Sequence, residues 1–253
     1  TKTGDSEVSI TNAHPVSGNE DNVRVEFSIN SDNQVSKIGN CKVSANFSKG
    51  TQDQIFVSGN DDYPQHVYFS GLGNPTYFPD DNYLLIGNSS TAIMGFLNIG
   101  EYLAVIKEQN NEDSTVFFIY QTSFQTTSVS TSDATSGTSN TTTTTEYTFA
   151  VKRATSGIGA VSKNCFSVLN DEPLFLAPSG IHGITSTNLT SEKVVRNRSL
   201  FLNKKLTSEK NIKDAIAITF KGYYMVFVNN SVYILDGRHK ASDKKNNTTY
   251  SYE

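Results

Sequence analysis

Tryptophan is absent from this chain of 253 residues, only 18% of its residues are charged, and it has two cysteines. Each shortage excludes a class of function. A surface that holds nucleic-acid phosphates needs clustered Lys and Arg. A chain with 21 basic against 25 acidic residues, net charge −4, lacks that excess, so any DNA it meets is expected to pass without adhesion or sequence reading. Cys41 and Cys165 stand far apart in sequence with no Cys or His at metal-ligand spacing near either, which argues against a zinc site and predicts free, buried thiols. No apolar run is long enough to span a bilayer, and the opening residues TKTGDSEVSI are not a signal peptide, so no membrane contact is expected. The first residue is Thr1 and not Met, which predicts a start inside a longer polypeptide.

Tyr, Phe, Thr, Ser and Asn are abundant, and 36% of the residues are apolar. That is enough to bury a core, and the mixture suits strands joined by polar turns better than helices. The expected class is all-β. Residues 1–34 read as a β-hairpin segment, with strands EVSIT and NVRVEFSI around a turn-rich linker holding Pro15, Gly18 and Asn19. Residues 35–253 read as a second, larger unit built from repeats.

Four segments of that unit share one order of strand, polar turn, strand, turn, strand. Their central strands begin near Asp53, Glu101, Glu172 and Gly222, at spacings of 48, 71 and 50 residues. The long spacing contains a Thr/Ser tract at 121–145, and without those 25 residues it shrinks to 46. A period of about 40–50 residues with about four strands per unit is that of a β-propeller blade. The expectation is therefore a β-propeller, or a partial one, of about four antiparallel units; a meander of hairpins without a common axis is the alternative. The central runs YLAVI, PLFLA and YYMVFV are apolar almost throughout, which predicts burial on both faces. The Thr/Ser tract has too little to bury and is expected to be a disordered loop between strands. Residues 191–215 are expected to hold one short turn of helix at most.

No motif of known chemistry stands out. His14, His66, His182 and His239 are scattered, with no Ser, Cys or Asp at a recognisable spacing. The pairs Asp61/Asp62 and Asp80/Asp81 have the composition of glycosidase carboxylates or calcium ligands, but beside Gly and Pro they read more simply as turn formers. Tyr63, Tyr68, Phe69, Tyr77, Phe78 and Tyr83 suit either a carbohydrate-stacking platform or the core of the first repeat, and the core reading is favoured. Arg238, His239, Lys240, Lys244 and Lys245 follow the last strand, SVYILDG, and read as a solvated loop. Asn46, Asn88 and Asn188 lie in glycosylation sequons, of the kind expected by chance in a chain this rich in Asn, Ser and Thr. No catalytic, cofactor-binding or metal site is predicted, and no enzyme activity.

The run IFVSGNDDYPQHVYFSGLGNPTYFPDDNYLLIGNSSTAIMGFLNIGEYLAVIKE resembles the hallmark of a family of virion proteins in phages and prophages of Gram-positive bacteria, often labelled stabilisation proteins. The stretches GIGAVSKNCFSVLNDEPLFLAPSGIHGIT, SEKVVRNRSLFLNKKL and AIAITFKGYYMVFVNNSVYILDGRHK match that family in order, and KIGNCKVSANFS fits ahead of them. The resemblance covers roughly residues 23–253, and the family's sequences continue on both sides of that span. It implies a non-enzymatic structural protein of the virion, made in the bacterial cytoplasm and placed at the tail or neck like the hub or nozzle proteins of short-tailed phages. The implied partners are portal, connector or tail proteins and further copies in a ring that helps retain packaged DNA. The alternative is a receptor- or glycan-binding propeller module at the tail tip.

Overall fold

A computed structural model describes residues 2–4, 7–8, 29–48, 53–132, 139–185, 195–242 and 248–252. The protein is all-β. A short pair, β1 (Lys2–Gly4) with β2 (Glu7–Val8), comes first, so the described part of the expected EVSIT strand pairs with residues upstream of it; NVRVEFSI lies almost wholly outside the described residues.

Next comes a helix that was not expected, α1 (Asp32–Gly39). Ser31 caps it by accepting a hydrogen bond from the Gln34 amide at 3.1 Å. The Gln34 side chain is buried and donates to the Pro79 carbonyl, while Asn30 donates to Thr76 O and accepts from Phe78 N. The boundary expected between residues 34 and 35 therefore falls inside a helix, and the segment around it is tied to residues 76–79 of the larger unit.

Four antiparallel sheets come after the helix, each a simple meander of four strands consecutive in the chain. Sheet I holds β3 (Val43–Phe47), β4 (Gln54–Ser58), β5 (His66–Phe69) and β6 (Tyr83–Leu85). Sheet II holds β7 (Ile93–Ile99), β8 (Tyr102–Lys107), β9 (Ser114–Ser132) and β10 (Ser139–Ser156). Sheet III holds β11 (Phe166–Leu169), β12 (Glu172–Ala177), β13 (Gly180–Ile184) and β14 (Val195–Asn197). Before sheet IV come the four-residue helix α2 (Asn203–Leu206) and one 3-10 turn (Ile212–Asp214), slightly more helix than the single turn expected there. Sheet IV holds β15 (Ile216–Phe220), β16 (Tyr223–Val228), β17 (Ser231–Ser242) and β18 (Thr248–Tyr252).

The repeat read from the sequence corresponds to these sheets. Each anchor residue stands at or just before the second strand of its sheet, in β4, β8, β12 and β16. The turns into β12 and β16 have two residues each, Asn170 with Asp171 and Lys221 with Gly222, all with positive φ. That backbone matches the twist of a hairpin, and Asn, Asp and Gly adopt it readily.

Successive sheets pack face to face through three apolar clusters. One, with Phe56, Val67, Leu103 and Phe117, joins sheets I and II. Another, with Ala104, Ile106, Phe118 and Phe175, joins II and III. The last, with Leu174, Leu176, Tyr224 and Leu235, joins III and IV. The segment connecting sheets II and III is hydrogen-bonded into both, since Ala160 N donates to Lys107 O and Val161 N to Leu176 O, and its last residues reach sheet IV, where Ala217 N donates to Asn164 O.

Two expectations are overturned. The Thr/Ser tract is not a disordered loop in its described parts, because β9 and β10 stay paired from Ser114↔Ser156 out to Ser132↔Ser139, with 133–138 outside the described residues. Only 116–119 of β9 pair with β8, so the ribbon runs on alone for roughly 40 Å at about 3.3 Å per residue. Threonine favours strand backbone, and the register set at the sheet carries outward. Excising residues 125–146 and joining Phe124 to Tyr147 through an Asn-Gly turn is expected to keep the melting temperature within about 3 °C, since the ribbon pairs mainly with itself. Differential scanning calorimetry checks this, and a larger fall would show that the ribbon packs on the rest. The second expectation is that Arg238, His239 and Lys240 lie in a solvated loop after SVYILDG; instead β17 runs on through them to Ser242, with Lys240, Ala241 and Ser242 paired to β18 beyond a break in register after Asp236.

Lys107 is wholly buried, and its ammonium donates to the carbonyls of Ile86 at 3.0 Å and Asn88 at 2.5 Å, pinning the turn between sheets I and II. Burial pushes its pKa down to about 8, against a raising influence from the nearby Asp113 carboxylate. Between that value and the ordinary 10.5, the unfolded chain holds a proton that the folded chain has released, so stability rises with pH across the window. Thermal melts from pH 7 to 10.5 should show this rise in the wild type and a flatter curve in Lys107→Met. Equal slopes would remove Lys107 as the cause.

Candidate assembly surface

The residues singled out in the sequence do not converge. His14 lies outside the described residues. His66 stacks among Tyr63, Tyr68 and Tyr83 at ring distances of 5.2, 5.7 and 5.3 Å, and burial with the nearby Lys37 charge lowers its pKa. His182 is buried on β13, where its Nδ1 lies 3.0 Å from Gly180 O and its Nε2 3.5 Å from Ser179 Oγ; desolvation lowers its pKa, against a raising influence from the Gly180 hydrogen bond. His239 is exposed on β17. Among the described residues no carboxylate is hydrogen-bonded to Ser179 or His182, so no third member of a triad stands beside this pair there.

The acidic pairs sit in turns. Asp61 is bonded to Lys42, Asp62 N donates to Asn60 Oδ1, and Asp80 accepts from Ser31 Oγ at 2.8 Å. Among the described residues no three His, Cys, Asp or Glu gather to hold a metal ion. Cys41 and Cys165 are free thiols, both pushed up to about 11 by burial. Of the six aromatic residues, Phe69 packs in the core against sheet II, Tyr68 and Tyr83 lie on the opposite face of sheet I with His66, and Tyr63, Tyr77 and Phe78 lie in the loops that flank β5. Tyr83 remains 43% exposed. In the basic run, Arg238 is paired with Asp236 at 2.8 Å and lies 4.3 Å over the Tyr223 ring; Lys244 and Lys245 are outside the described residues.

What the sequence did not reveal is an uncovered apolar sheet face. Side chains alternate across a strand, and in sheet IV one alternation (Ala217, Tyr224, Val226, Val228, Tyr233 and Leu235) packs against sheet III. The other side carries Ile216, Ile218 and Phe220 on β15, each more than half exposed, with Phe227 at 41% and Val232 at 47%. Register places them in rows across the sheet: Ile216, Phe227 and Val232 in one, Ile218, Met225 and Ile234 in the next. The run YYMVFV was expected to be buried on both faces, and it is buried on one. Its two faces are equally apolar, so composition alone did not distinguish the covered one.

The position is informative. The third and fifth residues of each second strand face the following sheet, and Phe56, Ala104, Ile106, Leu174 and Leu176 there are fully buried. Met225 and Phe227 are their counterparts in sheet IV. A contiguous apolar patch of this kind on a soluble surface marks a contact site.

The class of protein is thus an all-β chain of four repeated antiparallel sheets with one terminal apolar face uncovered. No protein-family model matches the chain, and no curated protein matches it. No helix among the described residues is long and apolar enough to cross a membrane.

Proposed function

We propose that the chain is a non-enzymatic structural component of a bacteriophage virion, at the tail or neck, whose four sheets are consecutive blades of a β-propeller. The observation that carries the architecture is the sequential stacking: one four-stranded meander per repeat, with an apolar cluster between each sheet and the next. The uncovered face of sheet IV favours a part that works inside an assembly, and the resemblance of its sequence runs to phage stabilisation proteins supplies the particle. Its partners in this reading are portal, connector or tail proteins and other copies of itself in a ring that DNA traverses without being read. The net charge of −4 suits such passage.

Mass spectrometry of purified particles, together with antibody labelling in electron micrographs, tests the assignment. The expected result is a fixed copy number per particle with label at the tail or neck. Absence from particles, together with saturable turnover of a glycan, would overturn it. The exposed Tyr83, stacked beside His66 and Tyr68, favours a second reading as a glycan-binding module. A glycan array on which binding depends on Tyr83 would establish that reading instead.

A further inference from the structure

We infer that two copies of this chain pair through the free edge of the β10 ribbon, residues 139–147 of one copy running antiparallel to the same residues of the other about a two-fold axis at Thr143. The pairing is separate from the virion reading and stands or falls without it.

A strand at the edge of a sheet presents unpaired N–H and C=O groups, and proteins guard such edges with charge, proline, bulges or a covering segment. β10 is the outermost strand of sheet II, and among the described residues no strand pairs with its outer side. Near the body of the sheet this edge is guarded. Lys152 and Arg153 lie on it, and the register shifts between Thr148 and Phe149 and again beyond Arg153. Further out the guards stop. Residues 122–132 and 139–145 contain no charged residue and no proline, and the pairing of β10 with β9 from Thr148 out to Ser139 is regular. The outer ladder of this stretch is left open on a backbone that β9 holds extended.

The sequence of the stretch points to a second copy as its occupant. Residues 141–145 are five consecutive Thr, and among antiparallel alignments only the one centred on Thr143 sets each of them against Thr. Thr–Thr pairs across strands are favourable, and like charges directly opposite are not. This alignment opposes no like charges: Glu146 falls opposite Asn140 and Tyr147 opposite Ser139, while Lys152 and Arg153 lie outside the paired stretch. The bodies of the two copies do not collide. Phe149, which packs into the cluster between sheets I and II, is six residues from the axis, so the bodies stand about 40 Å apart at about 3.3 Å per residue. β9 offers no equivalent, since β8 takes its outer side at 116–119 and its free stretch mixes Gln, Phe and Val among Ser and Thr. A contact made by the same surface on both partners closes at two copies.

Sedimentation velocity on the full chain over a range of concentrations tests this, with an equilibrium between 27.7 kDa and twice that mass expected. Replacing both Thr142 and Thr144 by Lys sets ammonium groups opposite each other at two places, which should weaken pairing more than about tenfold. Thr142→Lys with Thr144→Glu sets each ammonium opposite a carboxylate instead, and should pair at least as well as the wild type. Circular dichroism confirms that each variant is folded. Oxidation with diamide should cross-link Thr143→Cys between copies, because directly opposed residues stand about 4.5–5.5 Å apart between Cα atoms, within reach of a disulfide. Ser139→Cys, offset from its counterpart by eight residues or roughly 26 Å, should not cross-link. A wild type that stays monomeric up to its solubility limit would overturn the pairing. So would a dimer that survives excision of residues 125–146 or the double Lys substitution, a Lys/Glu variant weakened as much as the double Lys one, or equal cross-linking at 143 and 139. Oligomers that lengthen beyond two would overturn the two-fold contact.

Discussion

Phe56→Ala is expected to lower the unfolding free energy by about 3–5 kcal/mol, the cost of emptying a large aromatic site in a packed interior. Phe56 is fully buried on β4 and meets three rings: Phe47 at 5.8 Å edge-on, Phe69 at 5.6 Å stacked and Phe149 at 5.2 Å edge-on. Phe149 belongs to the fourth strand of sheet II, so the substitution opens a void between two sheets and discards aromatic contacts worth about 0.5–1.5 kcal/mol each beyond their area. Urea denaturation of both proteins measures the difference. A loss under about 1 kcal/mol, far below the usual range for such a site, would mean that sheets I and II are not held together by this cluster.

Gly159→Ala is expected to cost about 3 kcal/mol, at the upper end for overpacking, because the methyl group has nowhere to go. A Cβ there would stand 2.6 Å from Gln109 N, 2.7 Å from Gln109 Cα and 2.8 Å from Glu108 C, all main-chain atoms. That main chain is fixed: Gln109 N donates to Ala160 O, Ala160 N to Lys107 O, and Gly159 N to Gln109 Oε1. Relief requires pulling the connector of sheets II and III away from the end of β8, with loss of those bonds at about 0.5–1.5 kcal/mol each. Gly100→Ala is the control. Its Cβ would meet nothing within 4 Å, so only its positive φ of 55° is penalised, by about 1–2 kcal/mol. Equal losses at the two glycines, read from the same denaturation curves, would show that steric contact at 159 is not the cause.

The repeat was legible because its period survives in the anchors Asp53, Glu101, Glu172 and Gly222, each fixed by the turn that feeds a central strand. Burial was legible only in part. YLAVI, PLFLA and YYMVFV are alike in composition, yet β8 and β12 are covered on both faces and β16 on one, because coverage depends on what lies next to a sheet. The helix α1 left a signal in Ser31 and Gln34, the spacing of a capping pair, but with only Val35 and Ile38 as apolar residues in it no stripe drew attention. The ribbon of β9 and β10 was obscured for another reason. Composition reports whether a segment has something to bury, whereas strand pairing is propagated by register from the ordered end. The candidate surface itself was invisible, since exposed Ile216, Ile218 and Phe220 look in sequence like any other strand of a core.

Because the apolar clusters of the described residues join each sheet to its chain neighbours, the interior of this protein behaves as a line of coupled units. Sheets II and III are clamped from both sides, and sheets I and IV from one. In such a line, opening begins at the ends, since a terminal unit surrenders one interface and an inner unit two. Amide hydrogens of β8 and β12 should accordingly exchange most slowly in the isolated chain, and those of β16 several-fold faster despite an equally regular ladder. Any partner that seats on the last sheet would raise protection there first, and hydrogen exchange would register its arrival before any change in the overall melting temperature.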